Sequence, residues 1–398
     1  MEPVPPEDTL PARQQELQRQ LQVGVSGRAR AAALIELATV HRRGGRYGEA
    51  LERLTEAQEQ LLATPDPTLE VRAKLVRADC YARQNDPRAE SELAALADTF
   101  AHGGQAQADQ AYYFIIRGHR HQFAGREAES GREYERALGL YRAANDSWGI
   151  AYSTMVIASH YQLLGDVVKA TAYLHRALKE PGAQQDQYLR TMILANLGLL
   201  ERESGRPAQA EALLRQSVEL CLRNGDVRGA GISMMNLGHT LVVLRREHEA
   251  LSWYHRSKET MGETLDPWLG AYLHSGSAEA LVRLGRTKEA VAAIAGGLAS
   301  AERSTNPDSQ AFSLRIAGIV AEADGRWEEA QRHLSRAVEI AKGGGNKFRL
   351  VAAVGDWARL LRKRGDLPLA EEKTQEAITL AKGLGLPLLA SSLRRELQ

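Results

Sequence analysis

The 398-residue chain is short of most features that would announce a chemistry. It has two cysteines, Cys80 and Cys221, too few for a disulfide framework and suited to a reducing cytoplasm. Charge of either sign is not in excess. The 51 lysines and arginines stand against 50 aspartates and glutamates, a formal +1, which argues against a general nucleic-acid binder and against a basic membrane-surface protein. No apolar run approaches the ~18 residues that span a bilayer. Residues 1–10, MEPVPPEDTL, show no basic segment followed by an apolar one, so no signal peptide is visible. Catalytic patterns are missing as well: no Ser/His/Asp set, no phosphate loop and no zinc-ligand spacing. His119 and His121 form a His-x-His pair, but two steps of a helix turn about 200°, so they point apart. The expectation is no enzyme, no cofactor and no metal.

What the chain does have is repetition. The segment LANLGLLERESGRPAQA returns forty residues later as MMNLGHTLVVLRREHEA. Self-similarity at a fixed period decides architecture before anything else. Stepping by forty gives a column of small residues: Ala38, Ala78, Gly118, Ala158, Gly198, Gly238, Ala278, Gly318 and Ala358. A second small column runs Ala57, Ala97, Ala137, Ala177, Ser217, Ser257, Gly297, Ala337 and Ala377. A turn column runs Gly45, Asn85, Gly125, Gly165, Gly205, Arg245, Gly285, Gly325 and Gly365. Nine units follow one another in register, with no insertion.

Each unit reads as two helices. Leu194, Leu197, Gly198 and Glu201 fall at helical spacing and end in Ser204-Gly205, where glycine supplies a left-handed cap. The second helix begins at once, with Pro207, Pro87 and Pro368 near the first turn of their units and carboxylates such as Glu127 and Glu249 at the positive end of the helix dipole. Small residues at fixed positions let helices approach closely, while Leu54, Tyr134, Leu174, Leu214, Tyr254, Ile294 and Leu334 fill between them. This is the packing of an all-α solenoid.

Leu-Gly, then Gly-Arg-x-x-x-Ala, then a small residue seven positions on resembles the tetratricopeptide repeat. The usual repeat is about 34 residues and HEAT or armadillo units run to about 40–47, so period alone would mislead; the small columns decide. The longer unit is similar to Pins-type scaffolds, kinesin light chains, Rap-type peptide receptors and the sensor halves of bacterial transcriptional activators. The resemblance covers residues 26–386 and implies a right-handed superhelix of about nine helix-turn-helix units. Residues 1–25 then form a disordered tip and a capping helix, and residues 387–398 a C-terminal capping helix that covers an otherwise exposed apolar face. Unit two is the most degenerate, with Asn85 and Glu90 in place of glycine and alanine, and Ala101-His102-Gly103-Gly104 makes a looser connection.

In that family ligands lie along the first helix of each unit. Here one column reads Tyr112, Tyr152, Met192, Ile232, Tyr272 and Phe312, joined on the same face by Ile115, Met155, Asn196 and Asn236, then His119 and His239. Asn196 and Asn236 stand out, because a primary amide both donates and accepts and so matches a peptide backbone. The same column can equally serve to pack neighbouring first helices. Only Arg202 and Arg315 are available mid-face for a chaperone-type carboxylate clamp; basic residues at the ends (Arg42, Arg43, Arg83, Arg359, Arg362, Lys363) are read mainly as solvated. The resemblance thus implies a cytoplasmic protein- or peptide-binding scaffold or adaptor, with a sensor for a signalling peptide or small molecule as the alternative and a hydrolase as the least supported. A homo-oligomer stays open; direct nucleic-acid or membrane binding is not expected.

Overall fold

The computed structural model describes residues 9–101, 106–262, 265–304, 306–343 and 346–397. All regular structure among them is helical. In chain order come α1 (Leu10–Gln22), α2 (Gly27–Arg43), α3 (Tyr47–Ala63), α4 (Pro67–Arg83), α5 (Arg88–Ala101), α6 (Gln107–Phe123) and α7 (Glu127–Ala143). Next are α8 (Ser147–Leu163), α9 (Val167–Lys179), α10 (Pro181–Gln185), α11 (Gln187–Glu203), α12 (Pro207–Arg223), α13 (Val227–Val243) and α14 (Glu247–Met261). The last are α15 (Pro267–Arg283), α16 (Thr287–Arg303), α17 (Pro307–Ala323), α18 (Trp327–Gly343), α19 (Lys347–Arg364), α20 (Leu367–Gly383) and α21 (Pro387–Leu397). The first helix of every pair starts forty residues after the one before it, from Gly27 to Lys347, and Pro387 continues the series. The fold is an α-solenoid of helix pairs.

The turn column has a single conformation. All nine of its residues have positive φ, including Asn85 (53°) and Arg245 (61°), where a side chain tolerates a backbone that glycine adopts freely. At the start of several pairs an Asp or Asn caps the first helix: Asp146 accepts from the Gly149 amide at 2.9 Å, Asp186 from Leu189 at 2.9 Å and Asp226 from Gly229 at 2.8 Å. The polar joints between units are therefore N-caps.

The first small column lies where paired helices touch. A Cβ on Gly198 would stand 2.7 Å from Leu214 Cγ, one on Gly238 2.5 Å from the Tyr254 ring and one on Gly318 2.5 Å from Leu334 Cγ. The second column holds except in one unit. In α5 the buried residues are Ala89, Leu93 and Leu96, while Glu90 and Ala97 are exposed, so this helix is seated one residue out of the common register. The physical cause is Glu90 in the alanine slot: turning it outward, where it meets Arg120 at 3.0 Å, avoids burying an unpaired carboxylate. The loose connection expected at residues 102–104 lies outside the described residues, as do residues 1–8 of the expected tip. A second departure is α10, a short helix not foreseen, whose Gly182 sits so close to the Ser147 backbone that any side chain would collide with it.

The chain divides into two compact units. Unit 1 comprises Met1–Ile157, Arg176–Thr191 and Glu219–Gly229. In it α2 and α4, then α4 and α6, pack side by side over a core of Leu34, Leu54, Leu61 and Val76, and α1 lays Leu17 against Leu37 and Val40. Unit 2 comprises Ala158–His175, Met192–Val218 and Ala230–Gln398. Its core gathers Leu237, Tyr254, Leu269, Tyr272, Ile294, Phe312 and Ile316; α21 packs on α19 and α20. No helix among the described residues is long and apolar enough to cross a membrane.

Candidate functional site

In unit 1 the first helices carry a buried ionic network. Asp79 on α4 is fully enclosed; Arg42 Nη1 donates to its Oδ2 at 2.6 Å, Arg83 Nε donates at 3.0 Å and the Tyr112 hydroxyl at 2.6 Å. Arg83 also donates to the Tyr152 hydroxyl at 3.2 Å. Burial alone would raise the Asp79 pKa, but Arg83 and Arg42 beside it outweigh that and hold it far below the usual carboxylate range. Burial would likewise lower Arg42, yet Tyr112 and Asp79 hold it above the ordinary arginine value. His119, next to this network and edge-on to Tyr134 at 5.6 Å, is pushed down to about 4, first by burial and then by Arg83. A cavity of about 420 Å³ opens beside the network, lined by Arg42, Arg43, Arg72, Asp109, Tyr112 and Trp148 among others. Trp148 stacks on Tyr152 at 5.0 Å and its indole N–H donates to Asp186 at 2.8 Å.

In unit 2 the corresponding face is less self-contained. Asn196 on α11 and Asn236 on α13 are half-buried, one repeat apart, and neither side chain has a hydrogen-bond partner among the described residues. Met192 and Ile232 flank them, also half-buried. His239 Nδ1 is 2.8 Å from the Tyr254 hydroxyl, while Nε2 is buried with no hydrogen-bond partner. The ring is kept neutral, its pKa lowered well below the usual value first by burial and then by the charges of Arg202, Arg349 and Arg315. Tyr272 and Phe312 pack 5.1 Å apart, and Arg349 lies over both rings, at 5.0 and 4.6 Å from their centres. Arg315 is already committed, to Asp356 at 2.6 Å and Glu279 at 3.6 Å. Arg202 is not: its Nη1 is buried with no hydrogen-bond partner.

The residues singled out from sequence therefore fall into two sets. Ile115, Tyr152, Met155 and Phe312 are buried, Tyr272 nearly so, and Tyr272 and Phe312 belong to the core of unit 2. Tyr112, His119, Met192, Asn196, Arg202, Ile232, Asn236 and His239 keep partial exposure. Tyr112 and His119 belong to the Asp79 network in unit 1, whereas Asn196, Arg202, Asn236 and His239 share the first-helix layer of unit 2. Arg42 and Arg83 are corrected outright: they are not solvated end charges but bind Asp79, Arg42 from α2 and Arg83 from one turn along α4, because a charge-assisted hydrogen bond to an enclosed carboxylate offers more than water does. Sequence reasoning missed Asp79 and Arg349. A usable signal existed, since pairs between neighbouring repeats recur at separations of 37 (Arg42–Asp79) and 41 (Arg315–Asp356, Gln162–Glu203). Among the described residues no group of three or more His, Cys, Asp or Glu is placed to hold a metal ion.

Comparison with known proteins bears on the fold. Tetratricopeptide-repeat models match residues 190–223 and 269–343. No curated protein matches the chain by sequence. Among solved structures, a Rap protein complexed with competence and sporulation factor is 13% identical with a TM-score of 0.69, over 89% of this chain and 98% of that one. The Rap conjugation gene regulator of plasmid pLS20, in complex with the Phr* peptide, is 15% identical with a TM-score of 0.60, over 89% and 96%. The apo form of the quorum sensor NprR from B. thuringiensis is 16% identical with a TM-score of 0.59, over 88% and 98%. At such identities the likeness shows the fold alone. Repeat models, the forty-residue register and the paired-helix architecture agree: residues 190–223 and 269–343 match tetratricopeptide repeats, and the fold is that of a tetratricopeptide-repeat solenoid.

Proposed function

We propose that the chain is a non-enzymatic peptide receptor or adaptor that holds a short peptide segment along the first helices of unit 2. The observation that carries this reading is the pair Asn196 and Asn236, unpartnered amides one repeat apart with Met192 and Ile232 beside them. Each amide offers one donor and one acceptor direction to a ligand backbone, and the repeat spacing sets them at successive points along an extended chain. Of the structures that share the fold, one was solved with the Phr* peptide and another with competence and sporulation factor, which supports the reading by analogy of fold. The cytoplasm is the compartment we propose; Cys80 and Cys221 are both buried and are not bridged to one another, which suits a reducing environment.

The test is binding of mixed synthetic heptapeptide pools, followed by fluorescence anisotropy, to the wild type and to Asn196→Ala/Asn236→Ala. Each lost pair of backbone hydrogen bonds costs about 1–3 kcal/mol, so the double variant binds at least about tenfold more weakly with unchanged helicity by circular dichroism. Unchanged affinity in the double variant removes the amide grip from the reading.

A further inference from the structure

The two units can be compared four repeats apart, where two of the five network positions are kept and three are changed. Arg42, Asp79 and Tyr112 of unit 1 correspond in the forty-residue register to Arg202, His239 and Tyr272 of unit 2; Arg83 and Tyr152 correspond to Val243 and Phe312. In unit 1 the Asp79 carboxylate receives Arg42 at 2.6 Å, Arg83 at 3.0 Å and Tyr112 at 2.6 Å. In unit 2 the arginine and the tyrosine are kept, but the carboxylate has become a neutral imidazole. Arg202 thus retains its charge and has lost the facing carboxylate that its counterpart binds directly.

We infer that Arg202 anchors a carboxylate of the bound ligand, which supplies in unit 2 the charge that Asp79 supplies in unit 1. The inference rests on the peptide reading above and names the chemistry of that site. Glu203 and Glu279 lie near enough to act on the guanidinium by charge, but neither receives a hydrogen bond from it. Glu203, its chain neighbour, receives Gln162 Nε2 at 2.8 Å instead, and Glu279 and Asp356 are occupied by Arg315. When the Tyr254 hydroxyl donates to His239 Nδ1, the ring proton resides on Nε2, a second buried donor without a partner. Arg349, over the Tyr272 and Phe312 rings, adds a further positive charge to the same face. One carboxylate is accommodated, not a pair, because Arg315 is already bound. The electrostatics agree: burial, the largest influence, leaves Arg202 lowered from the ordinary arginine value, whereas Arg42 with its counter-ion is raised.

Two probes with one carboxylate each separate the sources. N-acetylglutamate amide carries it on the side chain, and N-acetylglutamine carries it at the C-terminus. Side-chain NMR of arginine Nε–H groups follows the full chain on titration with each. The Arg202 signal is expected to move with one probe or both, and to stay still with N-acetylglutamine amide, which has no carboxylate. In parallel, heptapeptide pools with glutamate and free C-termini are expected to bind at least about tenfold more tightly than pools with glutamine and amidated ends, a preference lost in Arg202→Met. Pools that bind equally well, with an unmoved Arg202 signal, overturn the subsite and leave the peptide reading standing. A moving Arg202 signal with no binding pool upholds the subsite and overturns the peptide reading. If neither responds, both fall.

Discussion

Arg42 and Arg202 occupy the same place in their repeats, and of the three network residues that differ around them (Asp79, Arg83 and Tyr152 against His239, Val243 and Phe312) the first removes the facing carboxylate. The first arginine is a structural ion. It is buried, its Nη1 donates to a fully enclosed carboxylate, and Arg83, Tyr112 and Tyr152 join the network, although its own Nε has no partner. The second has its Nη1 buried with no hydrogen-bond partner and donates to no carboxylate among the described residues. The difference teaches how a repeat protein separates support from recognition without changing its backbone. The helix pair fixes where the guanidinium stands, and the residue at the facing position decides whether it is spent internally or left for a ligand. Burying a charge without a partner is costly, so such an arrangement persists where something else completes it.

The largest expected effect breaks the first half of the comparison. Asp79→Ala leaves the buried Arg42 and the half-buried Arg83 without a counter-ion, which costs about 3–5 kcal/mol. Hydrogen exchange in unit 1 reads that loss directly, and Arg202→Met in unit 2 should show no comparable increase in exchange. Next in size is a test of the packing on which both units depend. Gly198→Leu forces a side chain into Leu214, 2.7 Å from the added Cβ, at about 1–3 kcal/mol. Gly343→Leu, with nothing within 4 Å, should change the melting temperature far less.

A pH series sharpens the comparison on the unit 1 side. His119 has its pKa lowered to about 4 by burial and by Arg83, so the folded chain refuses a proton that the unfolded chain accepts near 6.5. The stability it contributes is complete above about 6.5 and is lost as pH falls towards about 4, with a total on the order of 1–3 kcal/mol. His119→Gln should flatten that slope; an identical slope in the variant would remove His119 as its source. The smallest effect concerns the slipped helix. Ala97 is exposed whereas Ala57 is fully buried, so Ala97→Leu should stay within about 0.5 kcal/mol while Ala57→Leu overpacks its pair.

How much of this was legible in the sequence follows from the range of each interaction. The helix pairs were legible because a contact between paired helices tolerates only small residues, so Gly118, Gly198, Gly238 and Gly318 mark it four times over. The turns were legible even at Arg245, because the register assigns it the conformation of the eight neighbours in its column. The slip of α5 was hidden, since Ala97 is as small as its column requires and only Glu90 signals that the helix has turned. The site was half visible. Asn196, Asn236 and Arg202 could be placed on the right face by period, but whether an arginine there is bound depends on the next repeat. Arg42 looked like a solvated end charge until Asp79, 37 residues away, was seen against it.

The central claim is that one facing residue decides the fate of the arginine, and thermal unfolding of His239→Asp beside His239→Asn tests it most directly. Both variants lose the imidazole and its contacts with Tyr254 and Phe312, so packing losses cancel between them. The aspartate alone restores what Asp79 provides to Arg42. The account predicts a higher melting temperature for His239→Asp than for His239→Asn. It also predicts a loss of the preference for acidic peptides in His239→Asp only. Equal stability, or a less stable aspartate variant, would show that Arg202 has no need of a counter-ion, and the account would be wrong.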